Sequence, residues 1–295
     1  MLKHFLALED FSKDDIMGLL KEAVDLKQAL RDRKAVSVLS GKVLGMLFEK
    51  PSTRTRISFE VGMLQLGGHA IYLKGDEVGL GDREPVQDVA RVLSRYVDGV
   101  MFRAKSHADI EQFSEFSTVP VINGLSDYNH PCQVLADMLT ILEHKGRLEG
   151  IKLCYMGDGN NVCQSLMAAA EILDLEMTVV CPEGYFPSIV RSSNVRLTPD
   201  PVEGIQGADV VYTDVWTSMG QEAERIKRLQ DFASYSITES LFSIADSKAI
   251  FMHCLPAHRG EEVTNGVIES EQSVVFDQAE NRLHAQKAVL VSLLG

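Results

Sequence analysis

Strand-like and helix-like segments alternate along almost the whole chain, and this alternation restricts the fold more than any other feature. Strand-like runs lie at 43–48, 69–73, 97–102, 119–122, 151–156, 177–181, 208–212, 249–253 and 273–276. Helix-length patterns separate most of them, at 12–30, 55–66, 85–96, 107–116, 131–145 and 161–173. Short apolar strands spaced by helices predict parallel sheets with crossover helices.

The pattern at 131–145, apolar at Val134, Leu135, Met138, Leu139, Ile141 and Leu142, predicts a long helix, and Gly146 and Gly150 punctuate its end. The expected fold class is α/β, with two domains, each a parallel sheet flanked by helices, joined by long interdomain helices. The first domain is expected to span 1–133. A terminal helix, 283–295 with its apolar part at 286–294, should return to pack on it. The second is expected to span 134–282. Two such halves would leave a cleft at the carboxyl ends of their strands, where open α/β sheets bind ligands.

The loops after the strands therefore hold the chemistry. Glu49-Lys50-Pro51-Ser52-Thr53-Arg54-Thr55-Arg56 follows the first strand and opens a helix. Free backbone N–H groups and the positive end of the helix dipole suit an anion there. Ser52, Thr53 and Thr55 add hydroxyls, and Arg54 or Arg56 adds a planar fork for phosphate oxygens. A Ser or Thr at this point serves equally well as an N-cap.

The net charge is −13, from 29 basic and 42 acidic residues. An acidic chain argues against nucleic-acid or anionic-membrane partners, so arginines gathered in loops are expected to meet small anions or buried carboxylates. The five cysteines, 132, 154, 163, 181 and 254, include no CxxC pair. That argues against a disulfide framework or zinc ribbon, and free thiols point to the cytoplasm. No secretory leader and no membrane span is expected.

Asn129-His130-Pro131-Cys132-Gln133 stands where the linking helix starts, with Pro131 suited to its first position. A His130 imidazolium and a Gln133 amide can both donate to a carbonyl oxygen that gains charge, or else cap the helix and face solvent. Gly157-Asp158-Gly159-Asn160-Asn161 resembles half of a dinucleotide fingerprint, but Val162 stands where the third glycine belongs. The turn is read instead as approaching a ligand, with Asn161 offering an amide. Asp214 follows the strand 208–212 as an N-cap or as a carboxylate for an ammonium group. The polar stretch 217–235 suits a mobile lid. His253-Cys254-Leu255-Pro256 ends another strand; Cys254 either packs or serves as an active-site thiol. His253, Cys254 and His258 make a poor zinc site, so no metal is expected.

Taken in order, SerThrArgThrArg at 52–56, HisProCysGln at 130–133, AspxxxSerMetGly at 214–220 and HisCysLeuPro at 253–256 closely resemble the aspartate/ornithine carbamoyltransferase family, with the last two pointing to its ornithine branch. The resemblance covers essentially the whole chain. It implies a carbamoyl phosphate-binding first domain and an ornithine-binding second domain. The implied reaction moves the carbamoyl group of carbamoyl phosphate to the δ-amine of L-ornithine, giving L-citrulline and phosphate, in arginine biosynthesis. It implies Ser52, Thr53, Arg54, Thr55 and Arg103 on the phosphate, and His130, Gln133, Cys254, Leu255 through its carbonyl, and Arg282 around the carbamoyl group. Asn161, Asp214, Ser218 and Met219 would hold ornithine. Arg54, His130, Asp214 and Cys254 would carry the catalysis, a Cys254 thiolate near Asp214 handling the amine and its proton. Arg56 is left a structural role. No metal or organic cofactor is implied, and the implied assembly is a homotrimer or a multiple of it.

One stretch departs from the family pattern. The loop usually donated to a neighbouring subunit's site corresponds to Gly79-Leu80-Gly81-Asp82-Arg83-Glu84-Pro85. Gly79 stands where a Gln, His or Lys is usual, which leaves open whether Arg83 substitutes.

Overall fold

The computed structural model describes residues 3–81, 83–190, 193–218 and 222–295. The chain divides into two compact units, Met1–Leu139 with Glu280–Gly295, and Thr140–Ala279. In chain order the first unit contains α1 (Lys13–Arg31), β1 (Val43–Phe48), α2 (Thr53–Gln65), β2 (His69–Lys74), α3 (Gly75–Val78), α4 (Val86–Leu93), β3 (Gly99–Arg103), α5 (His107–Phe116), β4 (Val121–Leu125) and the start of α6 (Pro131–Lys145). The second contains β5 (Lys152–Met156), α7 (Asn161–Leu173), β6 (Glu176–Val180), β7 (Val195–Thr198), α8 (Pro201–Ile205), β8 (Val210–Thr213), α9 (Arg225–Asp231), α10 (Glu239–Phe242), β9 (Ile250–His253) and α11 (Asn265–Ile268). The last helix, α12 (Val275–Leu294), begins in the second unit and lies mostly in the first.

Both sheets are parallel, ordered β2-β1-β3-β4 and β7-β6-β5-β8-β9. Strands buried on both faces read as continuous apolar runs, which is why β1, β3, β5 and β8 were legible. In the first unit Leu47, Val100, Phe102 and Val121 pack with Val89 and Ala90 of α4 and Ile110 and Phe113 of α5. The α1 helix starts at a capping box: Ser12 accepts the Asp15 N–H while the Asp15 carboxylate accepts the Ser12 N–H. Its buried Ile16, Leu19, Leu20, Ala23 and Leu26 keep the helical period.

The strand order reverses between β1 and β3 in the first sheet and between β5 and β8 in the second. The loops leaving the carboxyl ends of each such pair diverge to opposite sides and leave a crevice. One crevice is bordered by the 49–52 turn and Arg103; the other by the 157–160 turn and Asp214.

Two elements differ from the sequence reading. The run 273–276 is not a strand: Ser273 makes an isolated bridge to Phe251, and α12 begins at Val275. Val274 and Val275 are buried and Phe276 is exposed, so a helix entry was mistaken for a short apolar strand. The final helix is correspondingly longer than 283–295. β7 was missed because Arg196 and Leu197 are exposed on an edge strand with no apolar run to mark it. The unit boundaries, 139/140 and 279/280, differ from the expected 133/134 and 282/283. Both fall inside continuous helices, where no loop or composition change signals them.

Candidate active site

In the first unit, Ser52 is the N-cap of α2, its Oγ accepting the Thr55 N–H at 3.3 Å. The capping and anion-binding readings of this turn are compatible, because one cap leaves other first-turn N–H groups without helical acceptors. Arg54 lies in that first turn, exposed, its guanidinium without an ion-pair partner among the described residues. Arg56 behaves differently: it pairs with Glu60 at 3.2 Å and lies over the Tyr72 ring.

Arg103 ends β3 and is buried, with no hydrogen-bond partner for its Nε among the described residues. Burial, and then the charges of Arg282 and Arg54, push its pKa down to about 10, so it stays cationic at neutral pH. Arg282, on α12, is also buried. It donates through Nη1 to Gln133 Oε1 at 2.8 Å, through Nη2 to Thr55 Oγ1 at 3.2 Å and through Nε to Gln286 Oε1 at 3.0 Å. These three acceptors are neutral and orient the guanidinium. Gln286 in turn donates to Ser58 Oγ, and Gln133 donates to the buried Asp137.

His130 sits at the mouth of α6. The turn before it is closed by Ser126 N–H to the Asn129 carbonyl and by Asn129 N–H to Ser126 Oγ. Burial holds the His130 pKa well below 6.5, and Arg282, Arg103 and Arg54 add to the shift. The imidazolium expected from sequence is therefore a neutral imidazole, chiefly because the ring is buried, with three arginines distant in sequence adding to the effect. A neutral ring still carries one N–H to donate.

In the second unit Asp214 is buried after β8. Its Oδ1 accepts the Val215 N–H at 2.8 Å and the Cys254 Sγ–H at 3.0 Å; its Oδ2 accepts from the Asn160 amide at 2.8 Å. These donors are neutral too, and no ion pair touches Asp214 among the described residues. Cys254 Sγ lies at hydrogen-bond distance from the Asp214 carboxylate. Asn160 escaped the sequence reading. Its Oδ1 caps α7 by accepting the Val162 and Cys163 N–H groups while its amide reaches Asp214. An Asn directly before a helix is a strong cap signal, and that signal was available. Asn161 is the first residue of α7 and half-buried, as is Ser218; Met219 and Gly220 lie outside the described residues.

The Gly157-Asp158-Gly159 turn does not fit a dinucleotide. A Cβ on Gly159 would meet Pro187 N at 2.3 Å, and the Gly159 N–H is bonded to the Tyr185 carbonyl. The chain's own backbone fills the approach. The expected lid contains α9, whose buried Arg228 donates to Asp158 at 2.9 Å and to the Trp216 carbonyl at 3.0 Å.

Ligand atoms of Asp214, His253 and Cys254 lie within 4.8 Å of one another, as do those of His258, Glu261 and Glu262. The first group makes a poor metal site. His253 Nδ1 accepts the Leu255 N–H at 2.9 Å and its Nε2 meets Glu262 at 3.1 Å, so both ring nitrogens are committed. Arg83 folds back on its own loop, donating to the Glu77 and Val78 carbonyls. Gly79 has φ +69°, and a Cβ there would meet Arg83 Cβ at 2.7 Å. A longer side chain at position 79 would have to displace Arg83 and take a left-handed backbone conformation.

The model for the carbamoyl-P binding domain of aspartate/ornithine carbamoyltransferases matches residues 3–143, and the model for the Asp/Orn binding domain matches residues 149–293. The chain belongs to the aspartate/ornithine carbamoyltransferase family. The ornithine carbamoyltransferase of Archaeoglobus fulgidus is 52% identical over 301 residues, covering 100% of this chain and 98% of that protein. That of Nitrosococcus oceani is 53% identical over 295 residues, covering 99% and 97%. The structure of ornithine carbamoyltransferase from Pyrococcus furiosus superposes with a TM-score of 0.95 at 50% identity, covering 99% of this chain and 96% of that one. Within this carbamoyltransferase chain, Arg282 lies in the stretch matched by the Asp/Orn binding domain yet bonds to Thr55 and Gln133 in the first unit. Among the described residues, no helix is long and apolar enough to cross a membrane.

Proposed function

We propose that this chain transfers the carbamoyl group of carbamoyl phosphate to the δ-amine of L-ornithine, giving L-citrulline and phosphate, in arginine biosynthesis. The observation that carries this reading is the nest of Arg54, Arg103 and Arg282 around neutral His130. It lies at a helix start and has no carboxylate on Arg54 or Arg103. Arg54 and Arg103, without an ion pair among the described residues, suit an anion, and Ser52, Thr53 and Thr55 complete a phosphate cradle.

Asp214 takes the α-ammonium of ornithine, with Asn161, Ser218 and Met219 at the amino-acid end. The uncharged δ-amine attacks the carbamoyl carbon. The C–N bond forms, the C–O bond to phosphate breaks, and the amine's proton leaves with the phosphate. Arg54, Thr55 and the His130 N–H stabilise the developing oxyanion. Gln133, Arg282 and the Leu255 carbonyl hold the carbamoyl group, and Cys254 guides the amine beside Asp214. Positioning two substrates supplies much of the rate. None of these steps calls for a metal or organic cofactor.

The buried thiols of Cys132, Cys154, Cys163 and Cys181 suit the cytoplasm. Exposed Ile57, Leu64 and Ile71 on α2 and edge strand β2 support a homotrimer or a multiple of it. Incubation with carbamoyl phosphate and ornithine should release citrulline and phosphate in equal amounts. Aspartate, putrescine and an N-acylated ornithine should be poor acceptors. Absence of citrulline would sink the reading.

A further inference from the structure

His253 and Glu262 are both fully buried. They are joined at 3.1 Å, and the function proposed above assigns them nothing. The bond geometry fixes their roles. His253 Nδ1 accepts the Leu255 N–H at 2.9 Å, so Nδ1 carries a lone pair and the ring proton sits on Nε2. Nε2–H then donates to Glu262 Oε1, which also accepts the His258 N–H at 2.5 Å. The His253 backbone is fixed as well, its N–H donating to Gln278 Oε1 at 2.9 Å.

The object of this bracing is Leu255, which holds φ +56°, a left-handed conformation disfavoured for a leucine. Residues persist there when their surroundings over-determine them, and such residues gather at functional sites. Its N–H is tied to His253, and the residue before it, Cys254, is tied to Asp214. Together these bonds hold the Cys254–Leu255 peptide in place.

We propose that His253 and Glu262 are positioning residues for carbamoyl transfer: Glu262 holds the ring in the tautomer that pins the Leu255 N–H, and this fixes the 254–255 backbone that carries the Cys254 thiol beside Asp214 and the Leu255 carbonyl. The inference rests on the carbamoyl-transfer reading. Neither residue touches a substrate; both act through the backbone of residues 254 and 255.

Four variants test it. Glu262→Gln keeps an acceptor for Nε2–H and for the His258 N–H. His253→Asn keeps an oxygen two residues before the Leu255 N–H, in an Asx-turn arrangement. Glu262→Leu and His253→Phe remove those acceptors. The disruptive pair should lose about 100-fold in kcat, as expected for a misaimed reacting group. KM for carbamoyl phosphate and protection by inorganic phosphate should stay near wild type, because the arginine nest is untouched. The conservative pair should recover most of kcat. Equal loss in all four variants, or no loss in the disruptive pair, overturns the proposal. Nitrogen NMR of histidine-labelled wild-type protein gives a second check that needs no variant to fold. His253 should be protonated on Nε2 and not on Nδ1, and the opposite tautomer overturns the proposal. A wild-type protein that forms no citrulline would instead count against the carbamoyl-transfer reading, whatever the tautomer.

Discussion

Replacing Arg54 with alanine should separate stability from activity. Arg54 is exposed, unpaired among the described residues, and one of the charges that push the Arg103 and His130 pKa values down. Without ligand its side chain contributes no ion pair, so Arg54→Ala should stay within about 0.5 kcal/mol of wild type, as an ordinary surface substitution does. Relief of like-charge crowding sets the sign toward a slight gain. With a phosphate-bearing ligand the balance inverts. One hydrogen bond to a charged group contributes about 1.5–3 kcal/mol, or roughly 10- to 150-fold in affinity. A donor aimed at charge that grows in the transition state is worth about 100- to 1,000-fold in kcat. The assay pairs thermal melts, with and without inorganic phosphate, with initial rates of citrulline formation. The expected outcome is an unchanged melt without phosphate, a lost or reduced phosphate shift, and a fall in kcat/KM for carbamoyl phosphate of at least about 100-fold. A variant that melts several degrees early without ligand refutes the claim that Arg54 is unpaired. One that keeps its rate refutes its place on the phosphate.

Asn160 has two jobs that mutation can split. Asn160→Ala loses the α7 cap, at about 1 kcal/mol of stability, together with the donor to Asp214. Asn160→Ser keeps a capping oxygen, so it should melt near wild type yet show a raised KM for ornithine; a wild-type KM in that variant would show that the Asp214 contact is irrelevant. His130 gives a pH prediction. Its folded pKa is depressed, so its contribution to stability is present above the unfolded value of 6.5 and is lost as pH falls below that toward the folded value. The slope is up to about 1.4 kcal/mol per pH unit. NMR titration of the ligand-free protein should show the His130 ring still neutral at a pH where exposed histidines are half charged, and a midpoint near 6.5 would contradict the buried, arginine-flanked environment.

The strand–helix alternation, the helix at 131–145 and the loops that carry chemistry were readable because buried parallel strands and amphipathic helices leave strong local patterns. Edge strand β7 was not readable, since half-exposed strands have no apolar run. The start of α12 was misread because its first buried turn, Val274 and Val275, mimics a strand. Within the site, the residue types and loops were visible, but their states were not. The neutral charge of His130 depends on its burial, and then on Arg54, Arg103 and Arg282 meeting around it, both tertiary facts. The choice between Asn160 and Asn161 as the neighbour of Asp214 depends on where α7 starts, which a boundary uncertain by a residue or two leaves open. Arg282–Gln286 and Gln133–Asp137 sit at i,i+4 spacing on helices, so these braces could have been sought from spacing alone.

The two units use one device with opposite sign. Each sheet reverses its strand order once, and the loops flanking that reversal border a crevice. In the first unit they bring arginines together, and the acceptors seen on Arg282 are neutral: Gln133, Gln286 and Thr55. In the second they bring up a buried aspartate whose donors are an amide, a backbone N–H and a thiol. Full-strength ion pairs inside either cluster would have made the unliganded protein more self-satisfied and its ligands weaker competitors. Among the described residues Arg54, Arg103 and Asp214 have no ion pair, so their charges are held in place yet left uncompensated. A phosphate-bearing anion and an ammonium-bearing amine are the chemistries that complete them. That is why removing such a charge should cost activity far more than it costs the fold, whereas removing a neutral brace such as Asn160 should cost both.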